Sequence, residues 1–206
     1  MLDPWTIKLI STPLNKCAHF LKKKDFKPDH ITIAGFVLGV FAFFALWMNL
    51  YKTALCLIVL NRLMDGLDGA LARQTKTTDA GGFLDICFDF IFYSGVVAGF
   101  GLADPQHNAT AAIILILSFA GTGSSFLGFA VMAEKHKLKN MIYPNKAMYY
   151  IGGLTEGTET IIFFVVICIF PGIFPAAAGI YAFLCLITTL TRIVSGYAIL
   201  KEVEKI

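Results

Sequence analysis

Four aspartates carry the strongest chemical signal in the sequence. Asp65 and Asp68 are three residues apart, Asp85 and Asp89 are four apart, and all four lie in apolar segments. On a helix, those spacings put each pair on one face. The short connection between the two segments predicts antiparallel neighbours whose carboxylates converge. Four negative charges at one point repel, and the nearby Arg62 and Arg73 cannot balance them alone. Hard divalent cations can, and Mg²⁺ is usually held by carboxylates together with a substrate phosphate. A pair of such ions would clamp an in-line phosphoryl displacement. Gly66, Gly69, Ala70 and Ala72 leave room for a ligand beside the backbone. The pattern predicts a metal–diphosphate site using Mg²⁺ or Mn²⁺, with two ions. In the plainer alternative, the aspartates pair with Arg62, Arg73 and Arg192 and merely tie helices together.

The elements that hold these residues follow from composition. The 206 residues are 57% hydrophobic and 15% charged, with a mean hydropathy of +0.71. Soluble domains carry roughly 25% charged residues, so a soluble or disordered chain is excluded. The predicted fold is an all-α membrane protein forming one integral-membrane domain over 1–206. Six transmembrane helices are expected near 30–50, 53–73, 79–102, 110–133, 154–172 and 175–199. Residues 1–27 precede them as an interfacial amphipathic helix. There Trp5, Leu9, Cys17 and Leu21 follow a spacing of four, Ile10 and Leu14 widen the stripe, Pro13 marks a kink, and lysines flank it. An apolar stripe beside lysines suits a helix lying in the membrane surface. No removable signal peptide is expected.

Charge placement orients the bundle. Fourteen lysines and arginines fall on the side holding both termini and the loops after the second and fourth spans, against Lys52 alone on the other. Both termini and the aspartates are therefore expected to be cytoplasmic. A net charge of +3 is too small to imply nucleic-acid binding. The five scattered cysteines make neither a disulfide framework nor a zinc site and are read as apolar packing. Gly35 with Gly39, Gly95 with Gly99, and Ser124 with Gly128 are small pairs suited to close helix approach, within one subunit or between two.

The run Asp65-Gly66-Leu67-Asp68-Gly69-Ala70-Leu71-Ala72-Arg73, followed by Gly81, Asp85 and Asp89, resembles the signature of the CDP-alcohol phosphotransferase family. That signature reads D-x-x-D-G-x-x-A-R, a short gap, then G-x-x-x-D-x-x-x-D. Every fixed position is matched, although the gap before Gly81 is a residue shorter than is common. Pro28, Ile31 and Thr32 resemble a weaker family pattern. The resemblance implies transfer of a substituted phosphoryl group from a CDP-linked alcohol to an acceptor hydroxyl, with release of CMP. It makes Asp65, Asp68 and Asp85 metal ligands, and Asp89 the general base that also touches the second ion. It places Asp65, Thr32, Gly69, Ala72, Arg73 and Gly81 at the CDP site. It further implies CDP-diacylglycerol as donor, entering from the membrane lipids, a bacterial inner-membrane location, and a homodimer.

The acceptor is read from cations outside the motif. Lys135, His136, Lys137 and Lys139 follow the fourth span and Arg192 lies within the sixth. Converging, Lys135, Lys137 and Arg192 would suit a phosphorylated alcohol such as glycerol-3-phosphate or an inositol phosphate; otherwise the lysines only obey the orientation rule. Thr155, Glu156, Glu159 and Thr160 suit a helix start, and Gly121 to Ser125 suit helix packing. Two other classes stay open: a divalent-cation transporter using the four aspartates, and a Mg²⁺-dependent membrane prenyltransferase.

Overall fold

The computed structural model describes residues 3–138, 153–203 and 205, with residues 3–10 known by their backbone. The described residues form seven α-helices: α1 (Asp3–Lys22), α2 (Pro28–Trp47), α3 (Tyr51–Gln74), α4 (Asp79–Ala103), α5 (Pro105–Lys135), α6 (Gly157–Ile169) and α7 (Phe174–Val203). A 3₁₀ turn, Pro171–Ile173, joins the last two. Four segments are long and apolar enough to cross a membrane: α2, α4, α5 and the stretch 171–203. The other two expected spans fall short for different reasons. α3 has 24 residues but carries Arg62, Asp65, Asp68 and Arg73. α6 is apolar but has only 13 residues, about 20 Å of helix, against a hydrocarbon core of ~30 Å.

The helix ends are set locally. Pro28 opens α2, Thr78 caps α4 by accepting the Gly81 N–H at 3.1 Å, and Asp104 caps α5. Glu156 and Glu159 close a reciprocal capping box on α6, as their placement in its first turn suggested. The non-helical stretch before α6 lies inside the protein, with Thr155 and Glu156 both buried. The Thr188 hydroxyl of α7 accepts the N–H groups of Leu154 and Thr155 at 3.2 Å each, and Glu156 accepts that of Gly153 at 3.0 Å. At membrane depth, irregular backbone survives only where protein or a water-filled cavity satisfies it. α6 is short because this strap dips into the bundle before the helix begins.

The packing departs from one expectation. α3 and α4 are sequence neighbours, yet α2 packs against both of them far more than they pack against each other. Gly35 and Gly39 make this possible: a Cβ on Gly35 would stand 3.0 Å from Met64, and one on Gly39 would stand 2.7 Å from Phe92. With α2 wedged in, α3 and α4 meet through their side chains. Gly99 serves the same α2–α4 seam, whereas Gly95 and Gly128 face open space. The main core lies away from the aspartates, where Phe100 stacks on Phe174 with ring centroids 4.8 Å apart among Leu46, Val96 and Val97.

α1 sits against the motif helix. Leu14, Ala18 and Leu21 pack with Ile31, Ala70 and Leu71, and Leu14 is so close to Gly66 that a Cβ there would stand 2.9 Å away. The packed seam runs through Ala18, which is fully buried, while Cys17 of the predicted stripe is exposed. Pro13 lies within the helix without ending it. Cysteine packing also splits: Cys168 and Cys185 are buried, but Cys17 and Cys56 are exposed, so the apolar-packing reading fails for those two.

Candidate active site

Three of the four aspartates converge. Asp65 and Asp68 on α3 and Asp85 on α4 each offer a carboxylate oxygen, and these atoms lie within 4.8 Å of one another. They line a narrow cleft of about 10 Å³ together with Thr32, Gly35, Phe36, Asn61, Phe88, Arg62 and Asp89. The rings of Phe36 and Phe88 stack at 4.0 Å and join α2 to α4 along it. Asp68 is 6% exposed, and its Oδ2 atom is buried with no hydrogen-bond partner among the described residues. A buried carboxylate oxygen without a donor is strongly unfavourable. A hard cation held by the three carboxylates would complete it, so the residues present fit Mg²⁺ or Mn²⁺.

Asp89 stands apart from that trio. Its Oδ1 atom is 2.8 Å from Nη2 of Arg62, whose Nη1 lies 3.6 Å from Asp65 Oδ2. The plainer ion-pair alternative is thus realised at Arg62, three residues before Asp65 and on the same helix face. Arg62 is itself held: its Nε donates to Asn61 Oδ1 at 2.7 Å and its Nη1 to the Tyr93 hydroxyl at 3.2 Å. Its guanidinium lies over the rings of Phe92 and Tyr93, 4.5 and 5.3 Å from their centroids. Asn61 in turn donates to the Gly35 carbonyl at 2.8 Å.

Asp89 also reaches a second space. A cavity of about 280 Å³ opens between α4, α5, the strap before α6, and α7. Its wall includes Asp89, Tyr93, Thr122, Thr155, Glu156, Thr160 and Arg192. Arg192 is 7% exposed, donates to the Thr122 carbonyl at 3.3 Å, and lies 5.5 Å from the Phe126 ring centroid. Asp89 and Arg192 therefore share one cavity, and Asp89 alone among the aspartates belongs to both spaces.

The lysines expected with Arg192 are elsewhere. Lys135 ends α5 and Lys137 follows it at φ 52°, both exposed, and neither lines the cavity. Phe126 marks the cavity level on α5, and the nine residues to Lys135 carry the chain about 13 Å farther along the helix. The convergence of Lys135 and Lys137 with Arg192 is therefore not present. Lys139 lies outside the described residues.

Of the expected CDP-site positions, Asp65 and Thr32 line the cleft, whereas Gly69, Ala72, Arg73 and Gly81 do not. A Cβ on Gly69 would meet only the Arg73 guanidinium, at 3.3 Å, and Arg73 is exposed. Gly81 is crowded by the Thr78 hydroxyl and by Asp29, 3.0 and 3.2 Å from a Cβ placed there, while Gly82 has open space. Gly121 to Ser125 suit helix packing by sequence more than they suit catalysis. Gly121 does meet Thr189, and Gly123 meets Phe90, but Thr122 and Gly123 also wall the cavity. Tyr93 lies four residues after Asp89 on the same face of α4, a signal the sequence did carry; Thr122 sits on another helix, where no spacing ties it to the aspartates.

A model of the family described as CDP-alcohol phosphatidyltransferase matches residues 26–195. Inner membrane protein YnjF of Escherichia coli is 51% identical over 205 residues, covering 100% of both chains. Archaetidylinositol phosphate synthase of Pyrococcus horikoshii is 27% identical over 138 residues, covering 61% of this chain and 73% of its own. Two crystal structures of Mycobacterium tuberculosis phosphatidylinositol phosphate synthase share the fold at 22% identity, each over 89% of this chain. One has CDP-DAG bound, with a TM-score of 0.71 and 93% of that chain covered. The other holds manganese and citrate, with a TM-score of 0.72 and 88% covered.

Proposed function

Because the chain belongs to the CDP-alcohol phosphatidyltransferase family, we propose that it transfers a phosphatidyl group from CDP-diacylglycerol to the hydroxyl of a small phosphorylated alcohol. It is a membrane transferase of phospholipid biosynthesis, which sets aside the transporter and prenyltransferase alternatives. The observation that carries the finer reading is the position of Asp89, on the carboxylate cleft and the Arg192 cavity at once.

Asp65, Asp68 and Asp85 would hold Mg²⁺ or Mn²⁺ against the diphosphate. When bound, the metal neutralises the diphosphate and stabilises the departing phosphate charge. Gly69, Ala72, Arg73, Gly81 and Thr32 border the cytidine side, with small residues giving it access and Arg73 adding a cation. The acceptor occupies the larger cavity, where Arg192 meets its phosphate and Asp89 its hydroxyl. Asp89 takes the hydroxyl proton as the acceptor oxygen attacks the phosphorus bearing diacylglycerol. A P–O bond forms there, the bond to the CMP phosphate breaks, and CMP leaves with that electron pair. In this reading α3, with Arg62, Asp65 and Asp68 turned into the cleft, and α6, extended by the strap before it and the 3₁₀ turn after it, serve as the remaining two crossings. α1 lies in the cytoplasmic interface of the inner membrane, and two chains form a homodimer, as the family resemblance implies.

Purified protein supplied with radiolabelled CDP-diacylglycerol, Mn²⁺ and one acceptor at a time tests this reading. Glycerol-3-phosphate or an inositol phosphate is expected to give a labelled lipid, whereas glycerol and serine are not. A product from serine or glycerol alone would remove the phosphorylated acceptor, and no CMP with any acceptor would remove the transfer itself.

A further inference from the structure

Three threonines, Thr188, Thr189 and Thr191, precede Arg192 on α7, and their hydroxyls make different contacts. Those of Thr189 and Thr191 donate to carbonyls of their own helix, at Cys185 and Ile187, each at 2.9 Å. Such bonds are the usual way a helix satisfies a hydroxyl. Thr188 makes one too, to the Leu184 carbonyl at 3.0 Å. Among the described residues, however, it alone of the three accepts from another element. The N–H groups of Leu154 and Thr155 reach its fully buried oxygen at 3.2 Å each, and the Thr155 hydroxyl lies 3.0 Å away. Thr188 does not line the Arg192 cavity, so the transfer chemistry gives it no role.

We infer that Thr188 and Gly153 are positioning residues for the acceptor: they seat the strap of residues 153–156 against Arg192, and the strap holds the guanidinium where it meets the acceptor's phosphate. This rests on the phosphorylated acceptor proposed above. Arg192 follows Thr188 by four residues, so the two side chains share one face of α7. The strap crosses that face. A Cβ on Gly153 would overlap the Thr188 methyl and stand 3.2 Å from Arg192 Nη2, so only glycine lets the backbone pass this close. On the α5 side, the Thr122 carbonyl accepts from Arg192 Nη1 at 3.3 Å, and the Phe126 ring centroid lies 5.5 Å from the guanidinium carbon. Arg192 is thus set between the strap and α5, on the wall of the cavity that Asp89 also reaches.

The strap is anchored at its other end as well. Glu156 accepts the Gly153 N–H at 3.0 Å and completes the α6 capping box, and the Thr160 hydroxyl lies 2.8 Å from that of Tyr181 on α7. An arginine side chain has many rotamers, and ordering it on binding costs free energy. A strap that restricts those rotamers before the acceptor arrives raises affinity for the phosphate without touching it. Without the Thr188 oxygen, the Leu154 and Thr155 N–H groups lose their acceptor, which is unfavourable inside the protein. The strap must then shift toward other partners and take Gly153 off the guanidinium. None of these residues lines the carboxylate cleft, so donor binding is unaffected.

Steady-state kinetics of the purified protein, varying CDP-diacylglycerol and then glycerol-3-phosphate or an inositol phosphate, test this. Thr188→Val keeps the side-chain shape and removes the oxygen. Its acceptor KM is expected to rise about tenfold, with donor KM unchanged, while Thr188→Ser, which keeps the oxygen, stays near the wild-type value. Thr191→Val, at a hydroxyl bonded within its own helix, should change neither KM. An unchanged acceptor KM in Thr188→Val, or equal rises in both KM values, overturns the inference. Should Thr188→Val not fold, Gly153→Ala decides. Its methyl meets that of Thr188, so its raised acceptor KM should fall back toward wild type when Thr188→Ser is added. No rise in the single variant, or no recovery in the double one, overturns the inference. A wild type that transfers to glycerol or serine alone overturns the phosphorylated-acceptor reading beneath it. Normal wild-type transfer with an indifferent Thr188→Val overturns the inference and leaves that reading intact.

Discussion

Two arginines, Arg62 half-buried and Arg192 buried, divide the polar interior into two regions with different logic. Around Arg62, charged groups answer one another: its guanidinium pairs with Asp89 and Asp65, while Asn61, Tyr93 and two rings fix it in place. Around Arg192, the partners include a backbone carbonyl and an aromatic face, and the residue walls a cavity shared with Thr122, Thr155 and Thr160. The first region is a highly charged floor in which, among the described residues, Asp68 carries an orphaned carboxylate oxygen. The second is a roomier space lined by hydroxyls and a cation. A floor of that kind suits a metal ion and a diphosphate, and a wall of this kind suits a small polar acceptor. Asp89 is where the two meet.

The largest expected effect comes from breaking the floor. Asp68→Asn removes the carboxylate with the orphaned oxygen, and CMP release should fall at least ~10³-fold, since metal stabilisation is worth several kcal/mol. Mn²⁺ binding should weaken in parallel; retained binding would show that the orphaned oxygen is no ligand. Next, at the junction, Asp89→Asn should lower the transfer rate by ~10²–10⁴-fold while leaving CDP-diacylglycerol binding largely intact. Wild-type turnover would refute its role as base.

On the wall, Arg192→Ala should raise the acceptor KM by about 10–100-fold through loss of charge-assisted hydrogen bonds and hardly change the donor KM. Equal effects on both would dissolve the distinction between the regions. The smallest effect tests the scaffold they share. Gly39→Ala places a methyl 2.7 Å from Phe92, an overpacking cost of ~1–3 kcal/mol. The thermal midpoint in detergent should drop, with little change in KM for either substrate, whereas Gly82→Ala, with open space around it, should leave the midpoint unchanged.

The sequence revealed the floor more clearly than the wall for a physical reason. Asp65, Asp68, Asp85 and Asp89 lie on two helices, and helical periodicity converts their spacing directly into shared faces. Asp85 and Asp89 share α4, so the distance from Asp89 to the α3 carboxylates follows from how α3 and α4 are set against α2, whose Gly35 and Gly39 pack close to Met64 and Phe92. Spacing along one chain does not encode that distance. Arg62 was visible three residues before Asp65, but choosing between Asp65 and Asp89 as its partner needed the relative rotation of two helices. The wall is assembled from four separate helices and a strap that no periodicity describes, so Thr122 left no signal, whereas Tyr93 could have been read from its place four residues after Asp89. Lys135 and Lys137 misled because sequence proximity to a span's end says nothing of how far that helix continues past the cavity.

The central claim is that the carboxylate cleft performs metal-dependent phosphatidyl transfer. The most direct measurement is CMP release from CDP-diacylglycerol by purified protein with glycerol-3-phosphate or an inositol phosphate, compared with and without Mn²⁺, in the wild type and in Asp85→Asn. Release that requires acceptor and Mn²⁺ together, and that Asp85→Asn abolishes, is the predicted result. Release that persists in the metal-free protein, or at the wild-type rate in Asp85→Asn, would contradict it.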